Sequence, residues 1–182
     1  MSVTLEVLEG LLALEVALDQ WDVPPTLGIL QSTSGVIYVD PIGFSPTFWD
    51  MGEMPDILTV LAKALALPGH PPFPYQMPEG ARFEGIAFFC EGWALDSKGM
   101  TEDERREAME FAAEFGVHAH PARIECKMVS AVDHAGRRYA VQHERGAEAA
   151  RARVADGDME VGGRLFDALG DLMVQVRREV LS

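Results

Sequence analysis

Three observations predict an α+β fold for this chain. Apolar residues recur at helical spacing in four separate segments, and two pairs of short alternating runs are each joined by turn residues. The hairpins stand beside helices without strict strand–helix alternation, which favours a mixed or antiparallel sheet over a Rossmann arrangement. The expected order is α-β-β-α-β-α-β-β-α around one sheet of about five strands, in a single α+β domain spanning residues 1–182. With 48 % apolar and 24 % charged residues, the 182-residue chain has enough apolar side chain for a packed core and lacks the composition of a disordered, collagenous or coiled-coil protein.

The first helix is expected from Leu5 to Asp19, where Leu5, Leu8, Leu12 and Val16 form a stripe that Leu11, Leu14 and Leu18 widen. Val23-Pro24-Pro25 ends it. Glu6, Glu9 and Glu15 interrupt its apolar run, so the reading there is neither a signal peptide nor a membrane span. Thr26 to Gln31 and Gly35 to Asp40 read as a hairpin turning at Ser32-Thr33-Ser34. A second helix starts near Pro55, a residue suited to a first helical position, and buries Ile57, Leu58, Leu61 and Leu65. Five prolines between Pro68 and Pro78 exclude both helix and central strand, so residues 68–78 are expected as a loop serving as lid or hinge.

Phe83 to Leu95 contains the continuous apolar run Ile86 to Cys90 and is placed at the centre of the sheet. Thr101 with Glu104 makes a capping box for a third helix, Gly116 stops it, and Ala108, Phe111, Ala112 and Phe115 form its face. Ile124, Cys126 and Met128 alternate with charged residues, and after the turn Asp133 to Gly136 the strand resumes with Tyr139, Val141 and His143. Ala147 to Val154 is read as a short helix. The last helix carries Leu165, Leu169, Leu172, Val176 and Val180.

Charge narrows the function. The net charge is −14, and residues 1–81 hold ten acidic side chains against one basic, Lys63. No basic stripe is present to release counterions from a phosphate backbone, so direct nucleic-acid binding is not expected. An acidic face suits a basic protein partner, a second copy of the chain, or mimicry of nucleic acid. For mimicry, Glu102, Asp103, Glu104, Glu107, Glu110 and Glu114 could supply the carboxylates, although Arg105 and Arg106 interrupt them. Cys90 and Cys126 lie in strand-like runs without zinc-finger spacing, as expected of buried thiols in the cytoplasm.

Several constellations could carry chemistry. His118-Ala119-His120-Pro121 is followed by Ser130 and Asp133. This resembles the HxHP…SxxD signature of the JAB/MPN zinc metalloproteases, though with a longer spacer between Pro121 and Ser130. The resemblance implies His118, His120 and Asp133 as zinc ligands and Ser130 as support for an oxyanion. If the hairpin closes on Asp133 to Gly136, Cys126 faces His143 and Ser130 faces Tyr139, and a Cys/His pair can make a thiolate nucleophile. Glu91, directly after the apolar run, is a further candidate as a buried carboxylate, with Arg123, Arg145 or Tyr139 as its partner. Phe44, Phe48, Trp49, Phe73 and Tyr75 cluster around prolines outside the regular elements and are candidates for a partner or homodimer interface. The preferred reading is a soluble, acidic, non-enzymatic interaction module that needs no cofactor. The alternatives are a metal-dependent hydrolase, for which zinc is the cofactor, and an acidic inhibitor that mimics nucleic acid.

Overall fold

A computed structural model describes Leu11, residues 21–155 and residues 163–181. Six strands form one antiparallel sheet: β1 (Thr26–Thr33), β2 (Val36–Ile42), β3 (Arg82–Leu95), β4 (Arg123–Asp133), β5 (Arg138–Glu144) and β6 (Arg151–Ala155), in the spatial order β2-β1-β3-β4-β5-β6. Among residues 21–155 and 163–181, three α-helices accompany them: α1 (Met54–Ala66), α2 (Glu102–Phe115) and α3 (Arg164–Val180). The fold is α+β as expected, with one more strand. Apart from Leu11, the helix expected over Leu5 to Asp19 lies outside the described residues.

The first hairpin turns on Ser34 and Gly35, whose φ angles of 53° and 81° match a two-residue turn with both central residues left-handed. The turn therefore falls later than the expected Ser32-Thr33-Ser34. The segment expected as a short helix from Ala147 to Val154 contains β6 instead. Its Ala-rich composition suits a helix, but the chain turns at Gly146 and residues 151–155 pair with β5, so sheet pairing overrides local propensity.

Both faces of the sheet are covered. On one, Leu27, Ile29, Ile86, Phe88, Cys90 and Val132 pack against Ile57, Leu58 and Leu65 of α1 and Phe166, Leu169, Leu172 and Val176 of α3. Arg164 pairs with Glu53 and Asp56 at the start of α1, and Arg178 donates to the Leu65 carbonyl at its end, so the two helices lie parallel. On the other face, Leu30, Ile37, Ala87, Phe89, Val129, Ala131, Tyr139 and Val141 surround the fully buried Leu11. Thr101 and Glu104 form the expected capping box of α2. Its predicted apolar face is only partly used, because Ala108 is buried while Phe115 remains 53 % exposed.

Period-two alternation assigns each strand residue to a face, but one irregularity in β3 breaks the rule. Leu30 pairs with Gly85 and Gln31 with Phe83, leaving Glu84 as an extra, unpaired residue. This is a β-bulge, a device that turns a side chain to the other side of a strand.

Candidate functional site

At the end of the sheet where the β1–β2 and β4–β5 turns meet the start of β3, a cavity of about 280 Å³ opens. The first hairpin contributes Ser32, Ser34, Gly35 and Ile37 to its lining, the entry to β3 contributes Gly80, Arg82 and Glu84, and the second hairpin contributes His134. Glu84 is 5 % exposed. The Ser32 hydroxyl donates to Glu84 Oε1 at 2.5 Å, His134 Nδ1 lies 3.5 Å from Oε2, and Arg82 Nη2 stands 3.9 Å from Oε1. The His134 backbone N–H donates to the Glu84 carbonyl at 2.7 Å, which ties the second turn to the bulge.

Each group is positioned by a local rule. Ser32 is near the end of β1 on the face of Leu30, where the bulge also brings Glu84. Asp133, His134, Ala135 and Gly136 form a turn closed by a 2.9 Å bond from the Gly136 N–H to the Asp133 carbonyl, with Gly136 at φ 83°. That left-handed glycine adds a residue to the loop, as in three-residue hairpins. The loop therefore has one residue more than the sequence reading assumed.

The extra residue shifts the register of the second hairpin by one. Cys126 pairs with Glu144, Lys127 with His143, and Ser130 with Ala140. A one-residue slip moves side chains to the other face, so Cys126 and His143 occupy opposite sides of the sheet and the expected thiol–imidazole pair does not form. Cys126 is buried, its Sγ 3.6 Å from the Gly92 carbonyl oxygen. Burial first, then Glu144 and Glu125, pushes its pKa up to about 11, while burial, Cys126 and Glu91 push Cys90 up to about 12. Both shifts disfavour a thiolate. His143 Nε2 lies 3.0 Å from the Ala147 carbonyl oxygen.

The zinc set implied by the metalloprotease resemblance is likewise dispersed. His118 and His120 lie in and beside a 3-10 turn, Val117–Ala119, that precedes β4, whereas Asp133 ends that strand. At about 3.3 Å per residue, β4 separates them by roughly 30 Å. His120 Nδ1 accepts from the Ala122 N–H at 3.1 Å, and its ring meets Phe111 edge-on at 5.2 Å. Asp133 is fully buried and already has four donors. The Ala135 and Arg137 N–H groups reach Oδ1 at 2.9 and 3.0 Å, and Arg137 Nε and the Tyr139 hydroxyl reach Oδ2 at 2.6 and 2.7 Å. A carboxylate offers about four acceptor positions, so Asp133 is committed to its turn and does not fit a metal. Ser130, three residues away on the same strand, faces the opposite side of the sheet from Asp133.

Glu91 is a clamp on the backbone: Oε2 accepts from the Asp22 N–H at 2.9 Å and Oε1 from the Val23 N–H at 3.4 Å. Neither Arg123, Arg145 nor Tyr139 supplies those bonds. Trp21, next to this clamp, lies 5.1 Å from Lys127 Nζ and 4.7 Å from the Arg145 guanidinium carbon, measured from its ring centre. Among the described residues, one group of three potential metal-binding side chains brings single ligand atoms within 4.8 Å, namely Asp22, Glu91 and Glu125. Arg145 already pairs with Glu125.

The loop aromatics are folded under rather than displayed. Trp49 and Phe73 are buried, and Phe44, Phe48 and Tyr75 pack against the same core. Phe44 stacks on Phe48 at 4.8 Å, and Trp49 meets Phe88 at 5.3 Å. Proline-rich segments still bury apolar side chains when a sheet face lies beneath them, which is the case here. The Tyr75 hydroxyl donates to Asp40 Oδ2 at 2.9 Å, and burial followed by Asp40 raises its pKa.

Glu84, Ser32 and His134 were not singled out by the sequence reading. A signal was present: a carboxylate and a glycine, Glu84-Gly85, interrupt the most apolar strand of the chain, the pattern of a bulge. No described helix is long and apolar enough to cross a membrane. Comparison with protein-family models, curated proteins and solved structures returned no match for this chain.

Proposed function

We propose that this chain is an acidic, non-catalytic binding module that seats a protein partner on the turn end of its sheet. The observation that carries the reading is the Glu84 carboxylate, buried on a central strand and opening on a cavity of about 280 Å³ framed by three separate chain segments. Groups held on a sheet and bordered by turns are the usual make-up of a binding site, with a rigid base and an adaptable rim. A volume of this size takes a side chain rather than a folded element. The net charge of −14 supports a basic partner through long-range attraction.

Blocking the cavity tests the reading without removing its polar groups. Ser34 lies on the rim and is exposed, while Cys90 and Cys126 are buried. Ser34→Cys labelled with a bulky maleimide closes the cavity, and Ser97→Cys, labelled on an exposed loop beyond the opposite end of β3, serves as control. Peptides selected from a displayed library on the unmodified chain should bind the Ser97 conjugate normally and lose the Ser34 conjugate. Equal binding to both conjugates refutes the proposal.

A further inference from the structure

Two buried carboxylates at the same end of the sheet differ in how they are satisfied. Asp133 has an arginine Nε at 2.6 Å and three further donors within 3.0 Å. Among the described residues Glu84 has one hydrogen-bond donor to its carboxylate, Ser32, and its Oε2 meets only the His134 ring, at 3.5 Å. Its nearest full charge, Arg82, stands off at 3.9 Å with its side chain 80 % exposed. Burial of an ionised carboxylate is costly unless charge-assisted hydrogen bonds replace its water.

We infer that the cavity over Glu84 receives a guanidinium group, the arginine side chain of a protein partner. This rests on the reading of the cavity as the binding site. A guanidinium presents paired N–H donors in a planar fork that matches a carboxylate, and it is more weakly hydrated than an ammonium, so it enters a confined site at lower cost. Arg82 shows the approach in the chain itself: it reaches the same carboxylate from the rim, too far for a hydrogen bond. A partner's arginine displaces it. Arg82 is therefore a competitor, and removing it strengthens binding. A site for an anion behaves in the opposite way, because Arg82 and His134 are then its ligands.

The experiment titrates the isotope-labelled full chain with Nα-acetyl-arginine amide and follows the backbone amides of Ser34, Gly35, Gly80 and His134 by NMR. Saturable shifts confined to this region are expected. Affinity should fall at least about tenfold in Glu84→Gln and rise about two- to fivefold in Arg82→Gln. Nα-acetyl-citrulline amide, the neutral analogue, should bind at least about tenfold more weakly than the arginine probe. If Glu84→Gln does not fold, the Arg82→Gln and citrulline comparisons still decide. Equal binding of citrulline, or a loss of affinity in Arg82→Gln, overturns the inference. Sulfate saturating the same amides in an Arg82-dependent manner overturns the guanidinium assignment but leaves the cavity as a binding site. Saturable shifts from neither probe overturn both.

Discussion

Gly85→Ala tests whether the bulge is the element that builds the site. A Cβ on Gly85 would lie 2.7 Å from the Asp133 Cα and closer still to the Val132 carbonyl oxygen. Carbon atoms pack at about 3.5–4.0 Å, so β3 and β4 must separate locally by about 1 Å. The obstructing atoms are backbone, held on one side by the β3–β4 ladder that runs from Gly85↔Asp133 to Leu95↔Arg123 and on the other by the His134 N–H bond to the Glu84 carbonyl, and no rotamer change relieves them. Overpacking of this kind costs about 1–3 kcal/mol. Displacing the bulge also separates Glu84 from Ser32, and a hydrogen bond to a buried charge is worth about 1.5–3 kcal/mol. The combined expectation is about 3–5 kcal/mol. Urea unfolding followed by tryptophan fluorescence reads it, since Trp49 is buried against Phe88. With a slope of about 2 kcal/mol/M, the midpoint should fall by roughly 2 M. Gly28→Ala is the internal comparison: there the nearest atom is the Val39 Cγ1 side-chain carbon, at 2.5 Å on an edge strand, and rotation relieves much of the clash, so about 1 kcal/mol is expected. A Gly85→Ala midpoint within about 0.3 M of the parent, or equal to that of Gly28→Ala, refutes the steric reasoning.

Other perturbations separate structural from receptive residues. Asp133→Asn places an amide nitrogen against donors whichever way it turns, and should cost about 3 kcal/mol in urea unfolding. Cys126 and Cys90 hold their protons to about pH 11 and 12 when folded, against about 8.5 in an unfolded chain. Their stabilising contribution is thus complete below about pH 8.5 and declines as pH rises towards 11. Native protein should be inert to a disulfide reagent at pH 8 and react once unfolded; labelling at the rate of a free thiol contradicts this. Glu91→Gln weakens the hold on the Asp22 and Val23 N–H groups and should lower stability by about 1 kcal/mol, seen as a lower melting temperature, while leaving the arginine probe's affinity unchanged. Thr101→Ala removes the capping box of a helix that buries only Ala108, so about 1 kcal/mol should appear as faster amide exchange within α2 at an almost constant melting temperature.

Local chemistry made much of the fold legible. The capping box of Thr101 and Glu104, Pro55 at the start of α1 and the apolar stripe of α3 each depend on residues within a turn or two, and each is found where expected. The site depended on register instead. One additional residue in the Asp133–Gly136 loop placed Cys126 and His143 on opposite faces, and nothing within the strands distinguishes the two registers. The loop aromatics resisted for a different reason: an aromatic residue near prolines reads the same whether a core or solvent lies beneath it, and the core beneath Trp49 and Phe73 comes from residues distant in sequence.

The core itself decides where Glu84 goes. In an unbroken β3, strict alternation would place Glu84 on the face of Ile86, Phe88 and Cys90, among the apolar side chains under α1 and α3, and would turn Phe83 away from them. That arrangement buries an ionised carboxylate without donors, and leaves unused a phenyl group whose burial is worth about 2–3 kcal/mol. The bulge reverses both assignments. Phe83 joins the helix-covered core, and Glu84 moves to the face where Ser32 donates to it and the cavity opens. Gly85 makes the exchange possible, because only a residue without a Cβ fits against the backbone of Val132 and Asp133. The Glu84 carboxylate therefore sits on a central strand of the sheet as a consequence of core packing, and a substitution that weakens the bulge should lower stability and probe affinity together.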